Sequence, residues 1–216
     1  MSSESVTGTL YLVATPIGNL EDITFRAVRI LKDVDLIAAE DTRHTGKLLH
    51  HFQIATPQLS YHEHNAQARI PQLVEKLQLG QSVALVSDAG MQGISAPGYG
   101  LVCACAEVGI AISPIPGPAA GISAVAASAL PSDRFTFEGF LPAKGRGRAD
   151  RLAQLATEQR TMVLYESPHR LLKTLGDLQT HLGHDRQVTV ARELTKRYEE
   201  FWRGTVGGAI EHFSVT

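Results

Sequence analysis

Apolar runs of strand length alternate along this chain with stretches whose apolar residues recur at helical spacing, and the alternation sets the expected order of elements. Residues 9–14 (Thr-Leu-Tyr-Leu-Val-Ala) form an apolar run that ends in Thr15-Pro16-Ile17-Gly18-Asn19, a turn-rich loop. Ile23, Ala27, Ile30 and Leu31 then recur as one face of a helix, which makes a βα unit. A second strand is expected at residues 36–39, followed by Glu40-Asp41-Thr42-Arg43 and a helix over 45–52, and a third strand at 59–62. Ala66, Ile70, Leu73 and Leu77 mark the next helix, which Pro71 is expected to open or kink. Val83-Ala-Leu-Val is the most apolar strand, and it breaks at Ser87-Asp88-Ala89-Gly90. A helix over 99–107, a strand over 110–115, the stiff turn Pro116-Gly117-Pro118 and an Ala-rich helix over 119–129 complete the pattern of a parallel sheet covered on both faces.

The texture changes after Leu130-Pro131-Ser132-Asp133, where a domain boundary is expected, dividing the chain into 1–131 and 132–216. Beyond it come a strand at 135–140, a flexible basic segment at 142–148, a helix at 149–155, a strand at 161–165 and a helix carrying Leu171, Leu175, Leu178 and Leu182. Strands at 188–191 and 200–204 follow, so the second domain is also α/β, expected to be truncated at its end.

Composition narrows the class. Hydrophobic residues make up 44% of the 216 positions, aromatic ones 6%, and the charge balance of 20 Lys and Arg against 22 Asp and Glu excludes a global field pulling the chain toward nucleic acid. RNA binding would have to use local patches. The longest apolar-rich stretch, 117–130, is too short and too rich in Ala, Gly and Ser for a span of about 20 residues, so no membrane partner is expected. The first residues lack the regions of a secretory signal, and a cytoplasmic site is expected. Cys103 and Cys105, two apart on one helix, point in different directions and read as small core residues.

The candidate chemistry sits where strands end. Asp88, in a glycine-containing loop after a buried strand, is placed to hold a ligand's hydroxyls or a cationic group, although the same residue can simply cap the next helix. Glu40 and Asp41 with Arg43 offer a base and a cation at one strand end, or equally an acidic helix start favoured by the dipole. Residues 16–19 lack both the dinucleotide fingerprint and a phosphate-binding Gly-Lys-Ser/Thr ending, which lowers the weight of both classes. His50, His51, His62 and His64 lack metal-ligand spacing, and no metal is expected. Lys144, Arg146, Arg148 and Arg151, interleaved with glycines, suit phosphate contacts without sequence reading, or form a solvated loop. These residues alone describe an α/β protein that binds a small ligand beside acids, without identifying it.

Seven ordered blocks add more: Val-Ala-Thr-Pro-Ile-Gly-Asn-Leu-Glu-Asp (13–22), Ala-Glu-Asp-Thr-Arg (39–43), Val-Ser-Asp-Ala-Gly (86–90), Pro-Gly-Pro (116–118), Phe-Glu-Gly-Phe-Leu-Pro-Ala-Lys (137–144), Tyr-Glu-Ser-Pro-His-Arg (165–170) and Ala-Arg-Glu-Leu-Thr-Lys (191–196). Together they resemble the ribosomal RNA small subunit methyltransferase I family, a branch of the tetrapyrrole methylase superfamily, over nearly the whole chain. The resemblance implies two α/β domains of the class III methyltransferase type with a cofactor cleft between them. It implies S-adenosylmethionine as donor, and as acceptor the ribose 2′-hydroxyl of a decoding-centre cytidine in 16S rRNA within the 30S subunit. A homodimer is the family precedent. The same resemblance places Pro16, Val86, Ser87, Asp88, Ala89, Gly90, Met91, Ala119, Ala120, Glu166 and Leu194 around the donor.

A ribose hydroxyl attacks a sulfonium methyl only as its proton is taken, so a base is needed, and Glu40 and Asp41 are the candidates, with Arg43 on the adjoining phosphate and the basic segment guiding the strand. Where the family has Asp-Ala-Gly-Thr-Pro and then Ser-Asp-Pro-Gly, this chain has Met91, Gln92 and Ala96, which removes a carboxylate. Two other functions compete. One is methylation of a tetrapyrrole or a protein residue with the same donor; the other is a non-catalytic RNA-binding or assembly factor that has lost turnover through those three changes.

Overall fold

The strand Val83–Val86 is buried at every residue, as the sequence pattern requires of a central strand in a sheet covered on both faces. The computed structural model describes residues 7–91 and 98–215, so the departures at Gln92 and Ala96 lie outside the described residues. By its internal contacts the chain divides into two units, Met1–Ala119 and Ala120–Thr216.

The first unit holds five parallel strands: β1 (Thr9–Val13), β2 (Leu36–Ala39), β3 (Gln58–Ser60), β4 (Val83–Val86) and β5 (Ala111–Ile115), in the order β3-β2-β4-β1-β5. The period-two geometry of a strand splits its apolar residues between two cores. Ala84, Val86, Ile37 and Ala39 face α1 (Phe25–Asp33) and α2 (Thr42–His51), whereas Val83, Leu85 and Ala38 face α3 (Ala66–Gln78) and α4 (Tyr99–Glu107). The helix after β4 therefore lies on the opposite face from the helices after its two neighbours, β1 and β2. Connections that leave adjacent strands in opposite directions open a crevice at the strands' carboxyl ends, and here that crevice lies at the loop after β4.

Within the second unit, α5 (Ala120–Ala127) packs on β6 (Phe135–Phe140) and β7 (Thr161–Tyr165), which pair in parallel. α6 (Arg146–Leu155) and α7 (Leu171–Leu182) follow β6 and β7, and β8 (Gln187–Arg192) pairs antiparallel with β9 (Glu200–Thr205) before α8 (Val206–Ser214). Leu141, Leu152, Leu155, Leu178 and Val206 form one core cluster, and Leu175, Ala209 and Phe213 another. The division precedes α5, whereas the sequence expectation followed it. Tyr165 and the second unit's last strands account for the difference. The amide of Gly121 donates to Tyr165 Oη at 3.0 Å, the helix's last carbonyl, of Ala127, accepts from Arg203 at 2.5 Å, and that of Ser128, the next residue, accepts from Thr189 at 2.8 Å.

Three local expectations change. Of the two expectations for Pro71, opening the helix or kinking it, the first is set aside, since Pro71 stands inside α3; it and Gln67 are both exposed, so water can take the carbonyl that Pro71 leaves without a donor. The basic segment is not a free loop from 142 to 148, because α6 begins at Arg146. Arg148, expected at an RNA surface, is 5% exposed. Its guanidinium pairs with Asp177 at 2.7 Å and donates to Pro142 O and Thr174 Oγ1, both at 2.9 Å, so its charge is engaged inside the unit. Of the cysteines, Cys105 is buried, which pushes its thiol up to about 11, and Cys103 is half-buried.

Two stability predictions follow from this packing. Arg148→Met strands Asp177, which is one-third exposed, and should lower the unfolding free energy in urea by roughly 2–3 kcal/mol, below the range for a fully buried pair. Gly117 allows the turn after β5 to pass beside the end of β1: a Cβ there would stand 2.8 Å from Ala14 Cβ, and Gly117→Ala should cost about 1–3 kcal/mol in the same measurement.

Candidate active site

The parallel register brings the ends of β1, β2 and β4 to one level, with Ala39 opposite Val86 and Leu12 opposite Leu85. The loop after β4 is then tied to both neighbours. Thr15 and Gly90 exchange backbone hydrogen bonds at 3.0 Å, and the Thr15 hydroxyl donates to Ser87 O at 3.1 Å. Gly90 takes φ +82°, a left-handed conformation that favours glycine. On the other side Asp88 Oδ1 accepts from the Asp41 amide at 3.1 Å, while the Asp88 amide donates to Glu40 Oε2 at 3.4 Å. The structure thus joins residues 39–43 and 86–90, separated by more than forty positions in sequence, at the crevice beyond the sheet.

The residues of the two blocks differ in what they leave available. Asp88 does not cap the helix that follows; it is half-buried, with its side chain at the crevice edge. Val86 is fully buried and turns its side chain into the core, so only its backbone is left for a ligand. Ser87 is buried as well, its hydroxyl donating to Ala89 O at 3.2 Å, whereas Ala89 is exposed and Pro16 and Met91 are half-buried. Asp41 is the N-cap of α2, and both its carboxylate oxygens are held by Arg43, at 2.8 Å on Oδ2 and 3.1 Å on Oδ1. That guanidinium holds the Asp41 carboxyl well below the usual carboxylate range. Asp41 thus carries a guanidinium on its carboxylate and caps a helix, whereas among the described residues the Glu40 carboxylate has no guanidinium on it, and Arg43, although exposed, is already paired.

Glu40 remains, and the structure gives it neighbours that the sequence reading did not. It lines a cavity of about 630 Å³ together with Tyr61, His62, His64 and Tyr99. The signal was present in the chain: Tyr61 and His62 follow β3 as Glu40 follows β2 and Asp88 follows β4. Of the four histidines whose spacing does not suit a metal, His62 and His64 stand at this cavity. Among the described residues no three metal-ligating side chains stand together.

In the second unit Ala120, Glu166 and Leu194 line one cavity of about 310 Å³ with Gly121, Val163 and Tyr165. Glu166 is committed within its own unit, accepting from the Ser167 amide at 2.8 Å and the Thr174 hydroxyl at 2.6 Å, with Arg170 at 3.3 Å. Of the basic residues, Lys144 and Arg146 are exposed, Arg146 facing Asp150 at 3.6 Å, and Arg151 pairs with Glu138. The half-buried Ala119 closes the first unit. No helix among the described residues is long and apolar enough to cross a membrane.

Residues 9–210 match the sequence profile of the tetrapyrrole (corrin/porphyrin) methylases. The chain is 63% identical over 207 residues to the ribosomal RNA small subunit methyltransferase I of Synechocystis sp., covering 96% of this chain and 74% of that protein. Among solved structures, a diphthine synthase superposes with a TM-score of 0.72 at 11% identity, over 94% of this chain and 84% of the other. The uroporphyrin-III C-methyltransferase of Thermus thermophilus, solved in complex with S-adenyl homocysteine, gives 0.64 at 20% identity over 95% and 92%. These two share the fold. The match over almost the full length and the close identity to a curated relative establish that this chain belongs to the tetrapyrrole methylase family, and within it to the ribosomal RNA small subunit methyltransferase I group.

Proposed function

We propose that this chain methylates the ribose 2′-hydroxyl of a decoding-centre cytidine, cytidine 1402 of 16S rRNA, with S-adenosylmethionine as donor. The observation that carries the reading is the hydrogen-bonded union of residues 39–43 with 86–90, two blocks shared with the group, at the carboxyl edge of the sheet. The substrate is the rRNA within the 30S subunit, the working state a homodimer, and the site of action the cytoplasm, where the ribosome is.

The first unit's residues fit a charged, partly polar donor. The Asp88 carboxylate stands at the crevice, and Gly90 carries no side chain, so backbone can approach a ligand closely. In the second unit the cavity containing Ala120 and Leu194 is walled largely by apolar groups beside a few polar ones, the composition of a small-molecule site. Bound there, S-adenosylmethionine would supply an electrophilic methyl group on a sulfonium whose sulfur would keep the electron pair of the broken carbon–sulfur bond.

The chain's own part is to place and deprotonate the acceptor. Glu40 takes the proton of the 2′-hydroxyl as the new carbon–oxygen bond forms. Asp41 and Arg43 fix the start of α2 and, with the Asp88 hydrogen bond, hold Glu40 in position. Exposed Lys144 and Arg146 contact phosphates without reading sequence, while Arg148 belongs to the unit's interior. No metal is invoked, because in-line displacement at a sulfonium needs positioning and charge placement more than Lewis acidity.

Transfer of a labelled methyl group to unmethylated 30S particles, mapped to the nucleotide, tests the reading; label on a porphyrinoid or a protein instead would transfer the chain to another substrate class. Asp88→Ala should weaken calorimetric binding of S-adenosylmethionine about tenfold or more, at the scale of a lost charge-assisted contact. Asp88→Asn keeps an acceptor for the Asp41 amide, and unaltered affinity in that variant would remove the carboxylate from the donor site. Glu40→Gln should lower kcat by about a hundredfold while leaving donor affinity within about twofold. A variant turning over at the parent rate would place the base elsewhere.

A further inference from the structure

We propose that His62 reads the base of the acceptor nucleotide, selecting cytosine over uracil with a hydrogen-bond donor that Asn65 fixes on one ring nitrogen. The proposal rests on the rRNA reading above and names how that site chooses its substrate. Asn65 Oδ1 accepts from the His62 amide at 2.8 Å, and its Nδ2 donates to Ser60 O at 3.2 Å. An obligate donor on one side and an obligate acceptor on the other leave the side-chain amide a single orientation. The same Nδ2 lies 3.2 Å from His62 Nε2, so that nitrogen presents its lone pair and the neutral imidazole carries its hydrogen on Nδ1.

Nδ1 is buried and has no hydrogen-bond partner among the described residues. A shielded donor left unpaired is destabilising unless something outside the protein supplies the acceptor. His62 lines the cavity that also holds Glu40, Tyr61 and Tyr99, which sets its ring beside the group assigned to take the proton, and a base seated there is the acceptor we assign to Nδ1. Tyr99, at the first position of α4 and 77% exposed, offers an aromatic face of the kind that stacks on an unpaired base. A nucleotide drawn out of an RNA stack presents its pairing edge to its pocket. Cytosine N3 is an acceptor and pairs with Nδ1–H; uracil carries a hydrogen at N3 and sets donor against donor.

The test compares labelled methyl transfer to unmethylated 30S particles carrying cytidine or uridine at the acceptor position. His62→Phe keeps a ring but removes the donor; it should raise KM for the cytidine particles about tenfold, hold kcat within about twofold, and reduce the cytidine-over-uridine ratio of kcat/KM by about tenfold or more. His62→Gln, whose amide rotates to offer either group, should gain activity on uridine particles, and it keeps the test decisive if thermal unfolding shows the phenylalanine variant to be poorly folded. An unchanged ratio in both variants, or a parent enzyme that methylates the two particles equally, overturns the assignment. A parent enzyme that binds S-adenosylmethionine yet methylates neither particle refutes the rRNA reading and this inference with it. A parent enzyme selective for cytidine beside variants equally selective refutes the inference alone.

Discussion

The hydrogen bonds that Asp88 exchanges with the Asp41 amide and the Glu40 carboxylate hold the candidate site together. A carboxylate from the loop after β4 accepts from the amide that begins the turn into α2, and the loop's own amide donates to Glu40. Charge-assisted bonds of this kind are stronger than neutral ones and restrict both partners. With Thr15 and Gly90 paired on the opposite side, the loop after β4 is fixed at three strand ends. The apolar interior beneath it makes this fixation effective: β4 is buried along its whole length, so the loop's starting point has little room to move.

This arrangement sorts the acidic residues by what remains free. Asp41 is held by Arg43 and caps a helix, Glu166 is held by Ser167, Thr174 and Arg170, and both stabilise the segments that carry them. Arg148 belongs to the same interior network as Glu166, because the Thr174 hydroxyl accepts from one and donates to the other. Glu40, by contrast, has one oxygen on a long amide contact and faces a cavity of about 630 Å³. A group that must exchange a proton with substrate needs that freedom, whereas a group paired with a guanidinium has its proton affinity lowered.

Much of the fold was legible because buried parallel strands leave a strong trace. Strands at 36–39, 83–86, 135–140 and 161–165 and helices at 99–107 and 171–182 lie where the apolar periodicity placed them, and the ends of other expected elements moved by one to three residues. The surroundings of Arg148 and α5 are set by residues distant in the chain. A basic residue among glycines looks solvated in sequence, and only the position of Asp177 and Thr174 on α7 shows that its charge is satisfied inside. An Ala-rich helix carries no mark of which sheet it will cover; Tyr165, Thr189 and Arg203 decide that for α5.

The sequence by itself determined the order of elements, the α/β class with its parallel sheet, and the family, since each depends on residues near one another in the chain. Tertiary structure decided which of those residues are available. His62 became a candidate only when β3 was seen beside β2, with Asn65 fixing its ring and Glu40 sharing its cavity. Burial, hydrogen-bond partners and the direction of a side chain depend on pairings between distant segments, and local periodicity carries no information about them.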